Sequence, residues 1–470
     1  MAYTDLRHFI HTLEGTGDLV RVRQQVDWEL EVGAIVRRAC ELGAPASLFE
    51  NVKDYPQMAI LGAPLATYRR LALALGLDPS THPSEMMRHY SQRIDSPIAP
   101  RLVQDAPCKE NVRLGADVDL FEFPVPLVHE GDGGRYIGTW HFVATRDLAE
   151  GWVNWGMYRL MVFDETHLAC RIDPSSDCGR MLQRYEAAGK AMPFAVVFGS
   201  EPLSDVSSCA SLRWGEEAAG IAGGLRGEPL ELVRCETVDL EVPARAEVVL
   251  EGEVAPGARI EEGPFGEYIG YRGGARSLRP AFHVKAATFR DNPILPMTCM
   301  GIPTDEGQLI RAFTMSASAH RSLQEAGIAV AGVWIPPEST HHTMVVALRR
   351  GSDHSCAEVA NFIFGGKLGF WMHQLILVDD DVDVYNTREV IHSFATRCHP
   401  LRDVQTFQGI PTASLMPYLA PEEKTAGVGP KICFDCRWKG KSPRKISFQT
   451  AYPQHIIERV LENWRSYGFE

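Results

Sequence analysis

DLEVPARAEVVLEGEVAPGARIEEGPFGEYIGY, residues 239–271, begins as strand and ends as loop. Residues 246–254 are rich in Val, Leu and other residues suited to a pleated, half-buried surface. Glu262-Gly263-Pro264-Phe265-Gly266-Glu267, followed by Tyr268-Ile269-Gly270-Tyr271, then holds too much Gly and Pro for a helix. Its two carboxylates stand five residues apart. Gly supplies backbone freedom and Pro fixes one φ, so the loop can aim both acids at one point. Carboxylates in unlike environments split into proton donor and anion, the usual basis of acid/base chemistry. A solvated acidic turn after a strand is the other reading of the same residues.

The β character extends on both sides of this run. Residues 136–146, 153–163, 167–172, 194–198, 237–242 and 246–254 are β-rich and punctuated by Gly and Pro. They predict a barrel- or sandwich-like domain over residues 116–300. Upstream, residues 4–14 read as a helix capped by Thr4, with Leu6, Phe9, Ile10 and Leu13 on one face and Gly15 as its stop. A strand over 19–26 and a helix over 30–42 follow, making residues 1–115 an α/β region. Helical period returns at 304–326 and 355–364, with buried strands at 328–335, 344–348 and 374–378. Asn386 caps a helix running to Arg397 that Pro400 ends. Residues 301–450 are thus a second α/β domain, and the fold class is mixed, α+β. The terminal segment, 451–470, is an amphipathic helix with Ile456, Ile457, Val460, Leu461 and Trp464 on one face. It docks either on a neighbouring subunit or on its own domain.

The 470 residues are 45% hydrophobic, enough for a large core divided among two or three domains. A net charge of −13 argues against nucleic acid as the main partner. No stretch approaches the ~18–20 apolar residues that span a bilayer. Met1-Ala2-Tyr3-Thr4-Asp5-Leu6 lacks the basic and apolar regions of a signal peptide. Eleven scattered cysteines, an odd number, suit a reducing compartment, so the expected location is cytoplasmic, with no membrane partner.

Three smaller motifs carry chemistry only in context. Cys433-Phe434-Asp435-Cys436 has no second pair to complete a zinc ribbon; it reads as small apolar residues in a strand, or as a redox pair. His341-His342, placed on a strand, would point to opposite faces, which makes joint chelation difficult and leaves the pair structural or exposed. In Trp152-Val153-Asn154-Trp155-Gly156-Met157-Tyr158-Arg159, Asn154 offers an amide oxygen suited to a hard cation. Arg159 offers a guanidinium fork suited to carboxylate or phosphate. An ordinary strand explains the same segment.

NWGMYR, EGPFGE, AGGLRGEP (residues 222–229) and the 239–254 run, in this order and spacing, resemble the UbiD-like family of reversible decarboxylases. The resemblance covers nearly the whole chain, from DLRHFIHTLEGTGDLVRV to VDDDVDVYN and GPKICFDCRWK. It is strongest to bacterial decarboxylases of aromatic and hydroxybenzoic acids. The resemblance implies a carboxy-lyase that uses prenylated FMN: the cofactor takes up the carbon beside the substrate carboxylate, carbon dioxide leaves, and a positioned acid protonates the carbon. Arg159, Glu262 and Glu267 match the family's catalytic triad, with Glu267 as proton donor and Glu262 and Arg159 as the network beside it. A split β-barrel cofactor domain between the two α/β regions is implied too, with the active site in the cleft between the central and C-terminal domains.

The resemblance also implies the cofactor contacts. Asn154, Met157, Tyr158, Arg159, Arg171 and Ile172 match positions bordering the prenylated flavin, and Lys431 matches a lysine that reaches its phosphate. Asn154 matches the first ligand of a divalent metal, Mn²⁺ or Mg²⁺, with K⁺ nearby. At the family's histidine this chain has Ser176-Asp177, and its glutamate falls at Ala218 beside Glu217. Asp177 and Glu217 are therefore the expected remaining ligands, an oxygen-only set. Expected partners are a small aromatic acid, further copies of the chain as a dimer or hexamer, and a prenylated-FMN synthase as cofactor supplier. A carboxylase subunit running the reverse reaction, or a non-catalytic relative with an impaired metal and flavin site, are the alternatives.

Overall fold

The computed structural model describes residues 2–469. The β-rich middle of the chain forms one antiparallel sheet of ten strands. Its main path runs Tyr136–Gly138, Leu160–Val162, His167–Cys170, Ser277–Phe289, Val248–Val254, Met192–Phe198, Phe142–Arg146, Val153–Gly156. Two short links, residues 139–141 and 157–159, join opposite ends of this path. A link this short reaches roughly 14 Å at most, so the end strands stand close together and the sheet curls into a barrel open along a seam. The expected strands over 136–146 and 153–163 are each cut in two where the chain crosses that seam. A continuous run of β-formers hides such a crossing, which depends on partners the run does not contain. Phe194, Val196, Leu250, Phe282 and Val284 fill the barrel interior; each such side chain is worth about 1.5–3 kcal/mol of burial.

The N-terminal region carries a four-stranded sheet in the order Leu19–Val22, Ala46–Phe49, Ala59–Gly62, Ile294–Met297. The fourth strand arrives after the barrel and lies parallel to the third, so residues 294–297 complete this sheet. Helix Leu6–Gly15 is capped by Asp5, not Thr4: the Asp5 carboxylate accepts the His8 backbone N–H at 2.8 Å. Its buried face is Leu6, Phe9, Ile10 and Leu13. The strand expected over 19–26 stops at Val22.

The C-terminal domain has a mixed five-stranded sheet, ordered Val330–Trp334, Thr343–Leu348, Gln374–Asp379, Val428–Asp435, Val404–Pro411. Helix Glu306–Glu325 leads from strand Ile294–Met297 of the N-terminal sheet into the C-terminal sheet and begins at a capping box between Asp305 and Gln308. Asn386 caps helix Thr387–Arg397. Cys433 and Cys436 are buried in and just after strand Val428–Asp435. The terminal helix Gln454–Glu462 buries Ile457 but leaves Leu461 exposed, with Trp464 and Tyr467 exposed beyond it. Among the described residues no helix is long and apolar enough to cross a membrane.

Candidate active site

The barrel seam opens into a cavity of ≈ 310 Å³. Both crossing links line it, together with Arg171, Glu267, Tyr268, Arg311, His341 and Trp371. Gly156 allows the second link to fold tightly: a Cβ there would lie 2.7 Å from the Tyr158 hydroxyl oxygen. Arg159, the last residue of that link, is carried to the cavity floor.

There the two acids of the loop meet one guanidinium. Arg159 donates from Nε to Glu262 Oε1 at 2.8 Å and from Nη2 to Glu262 Oε2 at 2.9 Å. Its Nη1 donates to Glu267 Oε1, which also accepts from Arg171 Nη1 at 3.0 Å. Tyr136 adds its hydroxyl to Glu262 Oε1 at 2.7 Å. Glu262 is 1% exposed and Glu267 4%, so the solvated-turn reading of the loop does not hold. Burial by itself would raise the Glu262 pKa; the Arg159 hydrogen bonds and charge, with Tyr136, outweigh it and hold the carboxyl below its ordinary range. Burial and the Glu262 charge push the Tyr136 phenol up, which keeps it a donor. Glu262 is thereby a fixed anion. Glu267 differs: both of its arginines meet Oε1, and among the described residues Oε2 has no hydrogen-bond partner. Oε2 is the atom free to exchange a proton with a molecule in the cavity.

Close packing holds the loop in place. Asp132 Oδ1 accepts the Gly266 N–H at 2.9 Å, while its Oδ2 accepts from the His129 backbone at 3.0 Å. The Gly133 N–H donates to Pro264 O at 2.7 Å. A Cβ on Gly133 would stand 2.0 Å from Gly263 O, and one on Gly273 would stand 2.6 Å from Glu267 Cγ. Arg159 also lies over the Phe265 ring at 5.2 Å.

The other expected site residues divide. Asn154, Met157, Tyr158, Arg159 and Arg171 line the cavity, and Asn154 Nδ2 is buried without a partner. Ile172 instead packs in the barrel core. Lys431 is buried within strand Val428–Asp435 of the C-terminal sheet, its ammonium donating to the carbonyls of Gly369 and Met372; burial pushes its pKa down to about 8. Lys367, which the sequence did not single out, lines the cavity and donates to Asp177 Oδ2 at 2.8 Å. Asp177 opens helix Asp177–Ala187 at the cavity edge. Glu217 is exposed and accepts the Val153 N–H at 3.0 Å.

Cavity size, aromatic walls and the unpartnered Asn154 amide fit a flavin-sized ligand. The divalent-metal set does not converge in the same way. Lys367 neutralises Asp177, Glu217 holds backbone, and among the described residues no three or more His, Cys, Asp and Glu come together to hold an ion.

His341 and His342 are both buried and precede the strand that begins at Thr343. Left-handed φ at Thr340 and His341 (50° and 68°) turns both rings to Tyr268, whose ring lies 5.2 Å from the first and 5.9 Å from the second. The strand geometry expected for the pair fails because the residues lie in a turn. Pro336-Pro337 and Ser339 just upstream were the available turn signal.

Three segments match the family described as 3-octaprenyl-4-hydroxybenzoate carboxy-lyase, UbiD: its N-terminal domain over residues 10–90, its Rift-related domain over 101–303 and its C-terminal domain over 308–436. The chain is 38% identical to a pyrrole-2-carboxylic acid decarboxylase of Pseudomonas aeruginosa, across 99% of this chain and 98% of that protein. The fold is similar to the closed form of vanillic acid decarboxylase from Sedimentibacter hydroxybenzoicus, with TM-score 0.89, 29% identity and 99% of each chain covered. It is also similar to an evolved dimeric form of the UbiD-class enzyme HmfF from Pelotomaculum thermopropionicum, solved with prenylated FMN. That match has TM-score 0.82 and 29% identity, over 94% of this chain and 97% of that one.

Proposed function

The chain belongs to the UbiD family of carboxy-lyases, and from that premise we propose that it decarboxylates an aromatic or heteroaromatic acid, hydroxylated rings included, with prenylated FMN in the seam cavity. The observation that carries this reading is the buried pair of acids on Arg159, one a fixed anion and the other with a free oxygen. Asn154, Met157, Tyr158, Arg159 and Arg171 would border the flavin. Lys367, which uses two of its three N–H groups on Asp177 and the Leu212 carbonyl, would offer the third to its phosphate beside the N-terminal end of helix Asp177–Ala187. When bound, prenylated FMN supplies the electron sink for cleavage of the bond to the carboxylate.

The protein does the rest. Aromatic walls from Tyr158, Tyr268 and Trp371 hold the ring and keep water from the reacting carbon. Glu262 and Tyr136 pin Arg159, and Arg159 with Arg171 orients Glu267. Glu267 Oε2 then delivers a proton to the carbon that has lost its carboxylate. The same atom takes a proton back in the reverse direction, so net flux follows substrate concentrations. We further read the protein as a homo-oligomer, because Leu461, Trp464 and Tyr467 leave apolar surface beside the terminal helix.

Co-production with a prenylated-FMN synthase, then a panel of aromatic and heteroaromatic acids in D₂O, tests this. One deuterium should appear at the carbon that released carbon dioxide. Glu267→Gln should keep its flavin absorption but turn over about 10²–10⁴-fold more slowly. A flavin-loaded wild type that releases no carbon dioxide from any acid would defeat the reading. A full-speed Glu267→Gln would move the donor elsewhere.

A further inference from the structure

We propose that Arg311 docks a second carboxylate carried by the substrate ring, so that the preferred substrates are aromatic or heteroaromatic dicarboxylic acids; this rests on the decarboxylase reading above. Arg311 projects from helix Glu306–Glu325 into the cavity, its guanidinium 4.1 Å from the Trp371 ring centroid. The other cations of the cavity are committed. Arg159 holds both glutamates, Arg171 holds Glu267, and Lys367 holds Asp177 and the Leu212 carbonyl. Among the described residues the Arg311 guanidinium makes no hydrogen bond and no ion pair, and its Nε is buried without an acceptor. Stacking on Trp371 orients the fork but satisfies none of its N–H groups.

The surroundings offer it no anion. His341 sits beside Arg311 at the cavity wall with Nε2 at 3.1 Å from the Gly307 carbonyl, to which it donates, and burial with the Arg311 charge pushes its pKa well below the ordinary range, so the ring is neutral. Tyr268 stacks on that ring and stays a phenol, raised by burial above its ordinary range. A desolvated guanidinium with open donors is unfavourable until an anion arrives. The departing carboxylate is a poor candidate for that anion. Its charge disperses as carbon dioxide leaves, so a tight ion pair would stabilise the starting acid more than the transition state. A carboxylate that stays on the ring keeps its charge throughout, and Arg311 can hold it as a bidentate pair. The remaining anion in reach of such a cavity is the flavin phosphate, which the experiment separates.

Flavin-loaded wild type, Arg311→Met and Arg311→Lys are assayed on matched pairs: a ring monoacid and the same ring with a second carboxylate. Binding of each dicarboxylate is also measured by calorimetry in flavin-loaded Glu267→Gln, with and without Arg311→Met. Wild type should prefer the dicarboxylate by about 10-fold or more in kcat/KM. Arg311→Met should lose about 10- to 100-fold on the dicarboxylate, mainly through KM, and little on the monoacid; Arg311→Lys should fall between. Equal loss on both acids, or a wild-type preference for the monoacid, overturns the proposal. A drop in flavin content in Arg311→Met also overturns it, assigning the cation to the cofactor phosphate. If no acid turns over, the decarboxylase reading fails separately; Arg311-dependent binding of the dicarboxylate would still support the subsite, and its absence would remove it.

Discussion

Glu262 and Glu267 share one guanidinium, yet their oxygens are used differently. Every oxygen of Glu262 is occupied, by Arg159 on both and by Tyr136 on one, whereas Glu267 accepts both arginines on a single oxygen. That asymmetry leaves Glu262 a fixed anion and, among the described residues, Glu267 Oε2 without a partner, which is why Glu267 is the proposed donor. It depends on Asp132, whose side chain is fully buried and holds the Gly266 N–H next to the donor. Asp132→Ala removes that bond and the bonds to His129. The expected result is a roughly 10-fold fall in kcat, little change in KM, and about 1–3 kcal/mol less stability. Thermal unfolding and steady-state kinetics check it, with Asp132→Asn recovering part of the rate. A variant with full kcat and lowered stability would reduce Asp132 to a purely structural role. The loop's acids, Arg159 and Asn154 were legible as chemistry in the chain itself, and His341-His342 stood out as a pair though not as a turn; Arg311 and Lys367 were not legible, since a single Arg or Lys in a helix or loop has no local signature.

At the scale of elements, the loop and the segment 129–135 are clamped through backbone. Gly133 donates to Pro264 O and has no room for a side chain, since Gly263 O would lie 2.0 Å from any Cβ at that position. Gly133→Ala must therefore push the loop away from Arg159. It should destabilise the protein by about 1–3 kcal/mol and slow turnover by at least ~10-fold with the flavin retained. The same substitution at Gly257, where nothing lies within 4 Å of a Cβ, gives the control, although its φ of +72° carries backbone strain of its own. Equal turnover in the two variants would count against the clamp. Strands carried by an unbroken run of β-formers were legible in this region, as in Met192–Phe198 and Val248–Val254, although each pairs on both edges with strands distant in the chain. The breaks at 139–141 and 157–159 were not, because they are set by closure of the sheet.

Across the whole molecule, the cleft joins barrel and C-terminal domain through a buried histidine cluster. His342 Nδ1 lies 2.6 Å from the Trp371 carbonyl, and the His373 ring centroid lies 4.7 Å from that of His342. Burial, with the charges of Arg311 and Lys431, pushes His342 down to about 4. Burial, with His342 and Lys431, pushes His373 down to about 3. An unfolded histidine takes its proton near pH ~6.5, so below that point the unfolded chain binds protons that the fold does not. Stability should be insensitive to these groups above pH ~7 and should fall as pH drops through ~6.5 toward 4, by up to about 1.4 kcal/mol per pH unit for each histidine. Urea unfolding at a series of pH values measures the slope, and His373→Asn should lower it by up to about 1.4 kcal/mol per pH unit, with His141, His341 and His342, also pushed down by burial, keeping the remainder. An unchanged slope would mean that His373 is not held neutral.

The chain alone determined what local physics controls: which segments are strand or helix, that the 262–267 loop cannot be helical, and that its two acids suit proton transfer. Hydrophobic period, caps and Gly/Pro content act over a few residues, so they can be read in order. Tertiary structure decided the rest. Closure of the sheet carried Arg159 to Glu262 and Glu267, a left-handed turn brought both histidines onto Tyr268, and the approach of helix Glu306–Glu325 left Arg311 facing the cavity without an anion. Each of these is a contact between residues far apart in the chain, and its sign and strength follow from burial and partner geometry that no single segment contains.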